Sequence, residues 1–227
     1  CSMTVTIVDN QPPSITCPQD IITFNDPGIC GAYVNVPQPE TAGNCGTDLL
    51  VNDYTGTDDA SADYPVGSTT VTWTVYDENG NSISCSHNII VIDNEPPAID
   101  CPAEVNVSTG SVDCSADVIV DIPFAVDNCD VDNVINDYNN TANASDNYPA
   151  GTTVVTWTVT DIYGNTASCT TLVNVVDSIP PQITCPDDIS QSADPGLCEA
   201  YVTVPLPEVI ENCAIDSVWN DYTNTGN

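Results

Sequence analysis

The sequence of 227 residues contains no lysine and no arginine, and its only histidine is His87. The sequence contains 33 Asp and Glu residues, which give a formal net charge of −33. A chain without cations cannot contact phosphate groups by charge, which excludes nucleic acid and an anionic membrane surface as partners. The carboxylates must instead be balanced by solvent counterions or by bound metal ions.

Long apolar runs and helical periodicity are also absent. No run of eighteen apolar residues exists to insert into a membrane, and no segment repeats its apolar residues with the period of a helix. The chain instead alternates apolar and polar residues over short stretches bounded by Pro, Gly, Asn and Asp, which predicts β-strands. A lone histidine, replaced by Met3 and Thr171 in the other copies, cannot serve a repeated catalytic mechanism, so we expect no enzyme activity.

What the chain does have is a repeat of 84 residues. Val71-Thr-Trp-Thr-Val75, a Gly-Asn turn and Cys85 return as Val155-Thr-Trp-Thr-Val159, a Gly-Asn turn and Cys169. A period of this length with strand-like alternation indicates a tandem array of small β domains. The predicted domains are the last strand of a preceding repeat at 1–10, whole repeats at 11–94 and 95–178, and the first part of a third repeat at 179–227.

The tryptophans allow two interpretations. Exposed aromatic faces can stack on sugars, but Val71, Trp73 and Val75 share one face of their strand while two threonines share the other. The apolar face therefore predicts that Trp73 and Trp157 belong to the core. Trp219 differs, because it lies on the face opposite the core residues of its strand, and we expect it to be exposed at a contact.

Cysteines occupy four positions in each repeat, with spacings of 13, 15, 40 and 16 residues that recur without slippage. Four cysteines in a small repeat predict two disulfides and an oxidising compartment. A zinc site is the weaker alternative, because no C-x-x-C pair occurs and the four positions are widely spread.

Several motifs in order resemble the hyalin repeat, or HYR domain. They are Pro-Pro-x-Ile-x-Cys-Pro, Asp-Pro-Gly-x-Cys-x-Ala, Asp127-Asn-Cys129, Tyr-Pro-x-Gly-x-Thr-x-Val-Thr-Trp-Thr and Gly-Asn-x-x-x-Cys. The resemblance implies immunoglobulin-like β-sandwich repeats stapled by disulfides, an extracellular or cell-surface location, and a role in adhesion or surface architecture. Gly43 and Glu211 replace the Asp before Asn-Cys, so an ion site that needs Asp127 would not be repeated.

The immunoglobulin-like order also favours a disulfide pairing, because its first and last strands run side by side in the same direction. The favoured pairs are Cys17–Cys85 with Cys30–Cys45, and Cys101–Cys169 with Cys114–Cys129, with Cys198 and Cys213 as the corresponding positions of the third repeat. The competing pattern joins Cys17 to Cys30 and Cys45 to Cys85.

Calcium is the metal that the oxygen-rich loops would select, since Ca²⁺ binds carboxylate and carbonyl oxygens. Asp93 and Asn94, at the end of one repeat, are expected to share an ion with Asp127 or Asp161 of the next repeat. The other candidate ligands are Asp9, Asn10, Asp77 and Asp177. The alternative is that these residues cap turns and carry solvated charges.

Three N-x-Ser/Thr sequons, all in the second repeat, permit glycosylation at Asn106, Asn139 and Asn143. Together these features predict a structural repeat unit of an extracellular or cell-surface fibre with calcium-stiffened joints, whose partners are other copies or continuing repeats. The alternatives are an adhesin-type module that binds a glycan or a protein, and spacer domains of a large secreted protein. Because both ends lie inside a repeat, we expect a section of a longer array rather than strand donation between chains.

Overall fold

The computed structural model describes residues 1–222. Within that range the chain is all-β, with eighteen strands and no helix, as the alternating pattern predicts. No described segment therefore forms a helix of the length and hydropathy that crossing a bilayer requires. The last five residues of the predicted third repeat lie outside the described range.

Each whole repeat contains eight strands. In the first they are Ser14–Thr16 (β1), Ile21–Phe24 (β2), Gly31–Val34 (β3), Glu40–Ala42 (β4), Leu49–Asn52 (β5), Ala62–Pro65 (β6), Gly67–Tyr76 (β7) and Ser82–Ile92 (β8). In the second they are Ala98–Asp100 (β9), Val105–Ser108 (β10), Ser115–Val118 (β11), Phe124–Val126 (β12), Val131–Asn136 (β13), Asp146–Pro149 (β14), Gly151–Asp161 (β15) and Thr166–Val176 (β16). The third repeat adds Gln182–Thr184 (β17) and Glu208–Ile210 (β18).

The main sheet of the first repeat has the order β2-β8-β7-β5, and the second repeat copies it as β10-β16-β15-β13. An early strand of each repeat pairs in parallel with the last one, as in Ile21 opposite Ile89 and Val105 opposite Val173. The smaller sheet of the first repeat pairs β3 with β6, and β11 pairs with β14 in the second. These orders are those of an immunoglobulin-like β-sandwich.

The core lies on the apolar face of the tryptophan strand. Val71, Trp73 and Val75 are fully buried, as are their copies Val155, Trp157 and Val159. In the first repeat this face packs against Ile89 and Val91 of β8 and against residues of β3 and β6. The tryptophans are therefore core residues, whereas Trp219 is 70% exposed.

Residues 1–10 do not form a strand, although they match β8 in sequence. Met3, Val5 and Ile7 lie exposed on this segment. The corresponding residues of β8 are extended because β2 and β7 hydrogen-bond to them on both sides. Residues 1–10 have no such pair of neighbours in the described chain, and a lone strand is not stable.

The chain divides into two compact units that do not coincide with the sequence repeats. Unit 1 comprises Cys1–Ile99, Ala125–Val134 and Thr158–Ser168, and unit 2 comprises Asp100–Phe124, Ile135–Trp157 and Cys169–Asn227. Unit 1 thus combines the first repeat with two loop regions of the second. One of these regions carries Asp127, Asn128 and Cys129, and the other carries the Gly-Asn turn at Asp161.

Candidate metal centre

Disulfides decide which loops meet at the end of each repeat. The structure contains Cys17–Cys85, Cys101–Cys169, Cys30–Cys129 and Cys114–Cys213. The first two are the favoured pairs that join the first and fourth cysteine positions. The other two correct the expected Cys30–Cys45 and Cys114–Cys129 pairs, because the second cysteine of each whole repeat is bonded to the third cysteine of the next repeat.

The reason for this correction is that the second and third cysteine positions contact different linkers. The turn before Cys30 contacts the linker that follows the repeat, since Gly28 donates its backbone N–H to Glu95 Oε2 at 2.7 Å. The loop that carries Cys45 contacts the linker that precedes the repeat, since Asn44 Nδ2 donates to Asp9 Oδ1 at 3.1 Å. A disulfide requires Cα atoms within about 7 Å, so cysteines at opposite ends of a sandwich cannot bond.

Within unit 1, the Cys30–Cys129 bond places the linker residue Asp93 beside the loop of Asp127 and Asn128. Asn128 Nδ2 donates to the backbone oxygen of Ile29 and to Asp93 Oδ1, both at 3.3 Å. Asp127 Oδ1 accepts a hydrogen bond from the backbone N–H of Cys129 at 2.9 Å. A carboxylate oxygen of Asp93, one of Asp127 and the sulfur of Cys129 lie within 4.8 Å of one another.

The distinctive feature of this cluster is a set of buried oxygens that receive no hydrogen bond from any residue in the described range 1–222. They are Asp93 Oδ2, Asp127 Oδ2 and Asn128 Oδ1. Asp93 is the most buried of the three residues, with only 6% of its surface exposed. A buried carboxylate oxygen without a donor costs folding free energy unless a water molecule or a cation binds it. The residues present therefore fit a hard, oxygen-seeking metal ion.

The two other linkers differ in the residue before Asn-Cys. Gly43 offers no side-chain oxygen near Asp9, although Asp9 Oδ2 is itself buried without a donor. At the third linker, Glu211 Oε1 accepts a hydrogen bond from the backbone N–H of Asn212 at 2.8 Å. Within residues 1–222, Asp93, Asp127 and Cys129 are the single group of three acidic, Cys or His side chains with atoms within 4.8 Å of one another, and Cys129 is in a disulfide.

Asp77 and Asp161 do not join the cluster, because their oxygens hold the Gly-Asn turns. Asp161 Oδ1 accepts the backbone N–H groups of Tyr163 and Asn165 at 2.8 and 2.9 Å, and Oδ2 accepts Asn165 Nδ2 at 2.8 Å. Burial raises the pKa of Asp161, but the hydrogen bonds from Asn165 and the turn backbone outweigh it and hold the pKa below its ordinary value. At Asp77 the hydrogen bond from the Asn81 side chain is the main cause of a lowered pKa.

Among the remaining candidate ligands, the side chains of Asp9 and Asp177 accept hydrogen bonds within the chain. Asp9 Oδ1 accepts the backbone N–H of Gln11 at 3.0 Å, the main reason for its lowered pKa. Asp177 Oδ1 accepts Thr109 Oγ1 at 3.2 Å. The backbone N–H of Asn94 donates to Asn25 Oδ1 at 3.1 Å, and the side chain of Asn10 is exposed.

Asn128 was not among the residues selected from the sequence. The sequence nevertheless contains a pattern that singles it out, because Asn precedes the third cysteine in all three repeats. The residue before this Asn varies, being Gly43, Asp127 or Glu211. The Asn128 amide nitrogen connects the loop to the turn of Cys30 and to Asp93, and its oxygen receives no hydrogen bond from residues 1–222.

The sequons lie on the surface of unit 2. Asn106 and Asn143 are exposed, whereas Asn139 is half-buried. Asn139 Nδ2, the atom to which a glycan would be attached, donates to the backbone oxygen of Asn143 at 3.0 Å. Glycosylation at Asn106 and Asn143 would therefore leave the loop hydrogen bonds of Asn139 intact.

The single histidine, His87, has a structural environment. It lies on β8 with 4% of its surface exposed, and its Nδ1 is 3.3 Å from the backbone oxygen of Gln19. His87 is therefore a buried strand residue in this structure.

Comparison with known proteins agrees with this architecture. A family profile described as the HYR domain matches residues 8–91 and 92–175. Hyalin of Strongylocentrotus purpuratus is 29% identical over 216 residues, which are 92% of this chain and 18% of that protein. Hyalin of Lytechinus variegatus is 34% identical over 216 residues, 91% of this chain and 39% of that protein. The rat sushi, von Willebrand factor type A, EGF and pentraxin domain-containing protein 1 is 32% identical over 164 residues, 71% of this chain and 4% of that protein.

The chain thus spans less than half the length of each of these relatives. The four disulfides and the relatives together place these repeats outside the cell or at its surface, where disulfides persist. The two profile matches follow one another directly and repeat with the 84-residue period of the cysteines. This chain therefore belongs to the HYR domain family.

Proposed function

We propose that these extracellular adhesion-type repeats form a non-enzymatic structural array, and that Ca²⁺ binds the Asp93, Asp127 and Asn128 cluster and stiffens the junction there. The observation that carries the proposal is the set of three buried oxygens without hydrogen-bond donors. Asp93 belongs to the linker, and Asp127 and Asn128 belong to the loop that the Cys30–Cys129 disulfide holds against it. An ion bound to all three would join the linker to this loop.

Charge supports a cation at this cluster. Two carboxylates with oxygens within 4.8 Å repel each other by on the order of 3 kcal/mol at an effective dielectric constant of about 20. The sequence has no Lys or Arg that could neutralise them. A divalent ion converts this repulsion into two attractive contacts and also satisfies the unpaired oxygens.

The donor atoms favour calcium over other metals. Cys129 is in a disulfide and cannot act as a thiolate ligand, so the cluster offers only oxygen atoms. Zinc prefers nitrogen and sulfur, and magnesium needs a nearly ideal octahedron and retains its water. Ca²⁺ accepts irregular sets of carboxylate and amide oxygens and completes its shell with water.

The disulfide changes the role that calcium was expected to have. From the sequence we expect chelation to loosen the joints before it unfolds the domains, because the expected disulfides lie inside repeats while the proposed ions lie between them. Cys30–Cys129 instead joins consecutive repeats. Calcium would then act in addition to a covalent link, by removing repulsion and fixing the linker within unit 1.

The experiment measures calcium binding by titration calorimetry and the thermal midpoint with calcium or chelator in dilute salt. We expect the parent chain to bind Ca²⁺ and to melt higher with it, and Asp93→Asn with Asp127→Asn to lose this response. Asp187→Asn with Asp188→Asn is the matched control, because it removes the same charge from exposed positions. The proposal is wrong if the parent binds no calcium, or if the cluster variant responds to calcium as the control does.

A further inference from the structure

An apolar strip lies on the outer face of the main sheet of the first repeat, within unit 1. It consists of Ile22 and Phe24 of β2 and of Ile90 and Ile92, which lie directly opposite them on β8. Ile22 is 66% exposed and Phe24 is 57% exposed, whereas the alternate residue Ile21 packs against the core. A contiguous exposed patch of apolar side chains is typical of a contact site.

The apolar strip borders a free edge of the sheet. Within residues 1–222, β2 lies at the end of the strand order and pairs with β8 alone. The backbone N–H of Asn25 donates to the backbone oxygen of Ile92 at 3.0 Å, so alternate residues of β2 turn their backbone groups toward β8. Ile22 and Phe24 therefore direct their backbone N–H and C=O groups away from the sheet. An edge of this kind can pair with an added strand.

The second repeat has polar side chains at the corresponding positions of its edge strand. They are Asn106 in place of Ile22, Ser108 in place of Phe24 and Asn174 in place of Ile90. Asn174 Nδ2 donates to Asn106 Oδ1 at 3.0 Å and to Glu104 Oε1 at 2.6 Å. The same edge strand thus forms with polar residues on its outer face, so the fold does not require the apolar side chains of the first repeat.

Negative charge lies at both ends of β2. Asp20, just before the strand, is exposed, and its Oδ1 accepts the backbone N–H of Asn88 at 2.7 Å. At the other end, Glu95 Oε2 lies 3.5 Å from Asn25 Nδ2. No Lys or Arg in the sequence balances these carboxylates. The charge therefore favours a cationic partner at this edge, whereas a second copy of this chain, with its net charge of −33, is repelled.

We propose that β2 and the apolar strip bind an extended segment of another protein, in which apolar and polar side chains alternate and Lys or Arg lies at both ends. The segment adds a strand beside β2 through the backbone groups of Ile22 and Phe24. Its apolar side chains cover the apolar strip, since alternate side chains of a strand share one face. Its cations contact the carboxylates of Asp20 and Glu95. This interaction goes beyond the proposed function and does not require the calcium cluster.

The test measures the binding of labelled peptides to the full chain by fluorescence anisotropy at physiological salt. The first peptide, Lys-Lys-Val-Thr-Val-Thr-Val-Lys-Lys, reads the same in both directions, so it can pair with β2 in either orientation. The second replaces the valines by serine and keeps the charge, and the third replaces the lysines by glutamate and keeps the valines. The first peptide should bind more tightly than either of the others by about tenfold or more, because it alone combines apolar contact with charge complementarity.

Two double variants locate the contact on the chain. Ile22→Asn with Phe24→Ser introduces the residues of the second repeat and should weaken binding of the first peptide to the level of the serine peptide. Val154→Thr with Leu172→Asn is the matched control, because it replaces two exposed apolar residues of the second repeat by their first-repeat counterparts. This control should bind the first peptide as the parent does. Circular dichroism should show the same β-sheet content in both variants.

Backbone pairing is tested on the parent chain, so this measurement does not depend on the folding of a variant. A fourth peptide has the sequence of the first with its backbone nitrogens methylated, and it should bind about tenfold or more weakly because it cannot donate hydrogen bonds to β2. The proposal is overturned if the methylated, serine or glutamate peptide binds as tightly as the first, or if the β2 variant binds the first peptide as the parent does. Sedimentation that shows the parent, but not the β2 variant, associating with itself would also overturn it, because the occupant would then be a second copy.

Discussion

Cys30 and Cys129 are bonded although 99 residues separate them, and their Cα atoms lie 4.6 Å apart. The loop that this bond closes contains most of the first repeat and the whole linker from Asp93 to Pro97. Asn128, next to the bond, donates hydrogen bonds to the turn of Cys30 and to the linker. The bond therefore restrains the linker within unit 1 as well as the two loops.

The disulfide pattern leads to the first prediction. Peptide mapping without reduction should recover Cys30 with Cys129 and Cys114 with Cys213. Replacing Cys30 and Cys129 together by Ser should lower the free energy of unfolding by on the order of 4 kcal/mol, because a loop of about 100 residues is released in the unfolded chain. Cys45→Ser, at a free and exposed cysteine, is the control and should leave stability unchanged. A peptide joining Cys30 to Cys45 would contradict the structure.

The second prediction concerns acid and the Gly-Asn turn. The pKa of Asp161 is lower in the folded chain than its ordinary value of 3.8, so the ionised carboxylate stabilises the fold. This contribution is complete above pH 3.8 and is lost as the pH falls through the lower folded pKa. Asp161→Asn should remove it, and the free energy of unfolding in urea should then depend less steeply on pH below 3.8.

The comparison must be made between variants, because protonation of the other carboxylates also relieves the repulsion of a chain with net charge −33. Asp188→Asn removes one charge from an exposed position and should retain the steepness of the parent below pH 3.8. If Asp161→Asn and the parent lose stability in parallel as acid is added, the carboxylate does not hold the turn.

The third prediction concerns two buried tyrosines at high pH. Burial raises the pKa of Tyr64 and of Tyr148 to about 12, above the ordinary value of 10. The neutral hydroxyls make their full contribution to the free energy of unfolding below pH 10, and this contribution is lost as the pH rises through about 12. Ultraviolet titration should show Tyr64 and Tyr148 ionising last among the nine tyrosines, with the pKa of Tyr138 also raised by burial, together with alkaline unfolding.

A substitution can distinguish the effect of ionising a buried tyrosine hydroxyl from the general increase in charge repulsion at alkaline pH. Tyr64 Oη donates to the backbone oxygen of Ala60 at 2.6 Å, so Tyr64→Phe should lower the free energy of unfolding by about 1 kcal/mol or more and remove one late titration. Tyr33 is 55% exposed, and Tyr33→Phe is the control that should change neither. An unchanged late titration in Tyr64→Phe would refute the assignment.

Local pattern was sufficient for much of the fold. Val71, Trp73 and Val75 alternate with threonines, and this alternation alone separates a buried face from an exposed one on any strand. Cys17 and Cys85 could also be matched from the sequence, because an immunoglobulin-like order places the first and last strands of a repeat side by side. The family motifs followed the same period and located the linkers.

The metal cluster could be predicted only in part from the sequence pattern. Asp93 and Asp127 could be selected as acidic residues near a linker, but Asp77 and Asp161 satisfied the same criterion. The difference lies in the donors around them: turn N–H groups already occupy the oxygens of Asp161, whereas one oxygen of Asp93 has none. The spacing of acidic residues in the sequence does not show which residues of other loops will donate hydrogen bonds to them.

The sequence by itself therefore determined the repeat period, the strand faces, the core tryptophans and the absence of any cation to pair with the carboxylates. The tertiary structure decided that Cys30 bonds to Cys129 rather than to Cys45, and that carboxylate oxygens of Asp93 and Asp127 lie within 4.8 Å of each other. The physical reason is that alternation acts between neighbouring residues on one strand, while a disulfide or an ion site depends on which end of a sandwich each loop reaches.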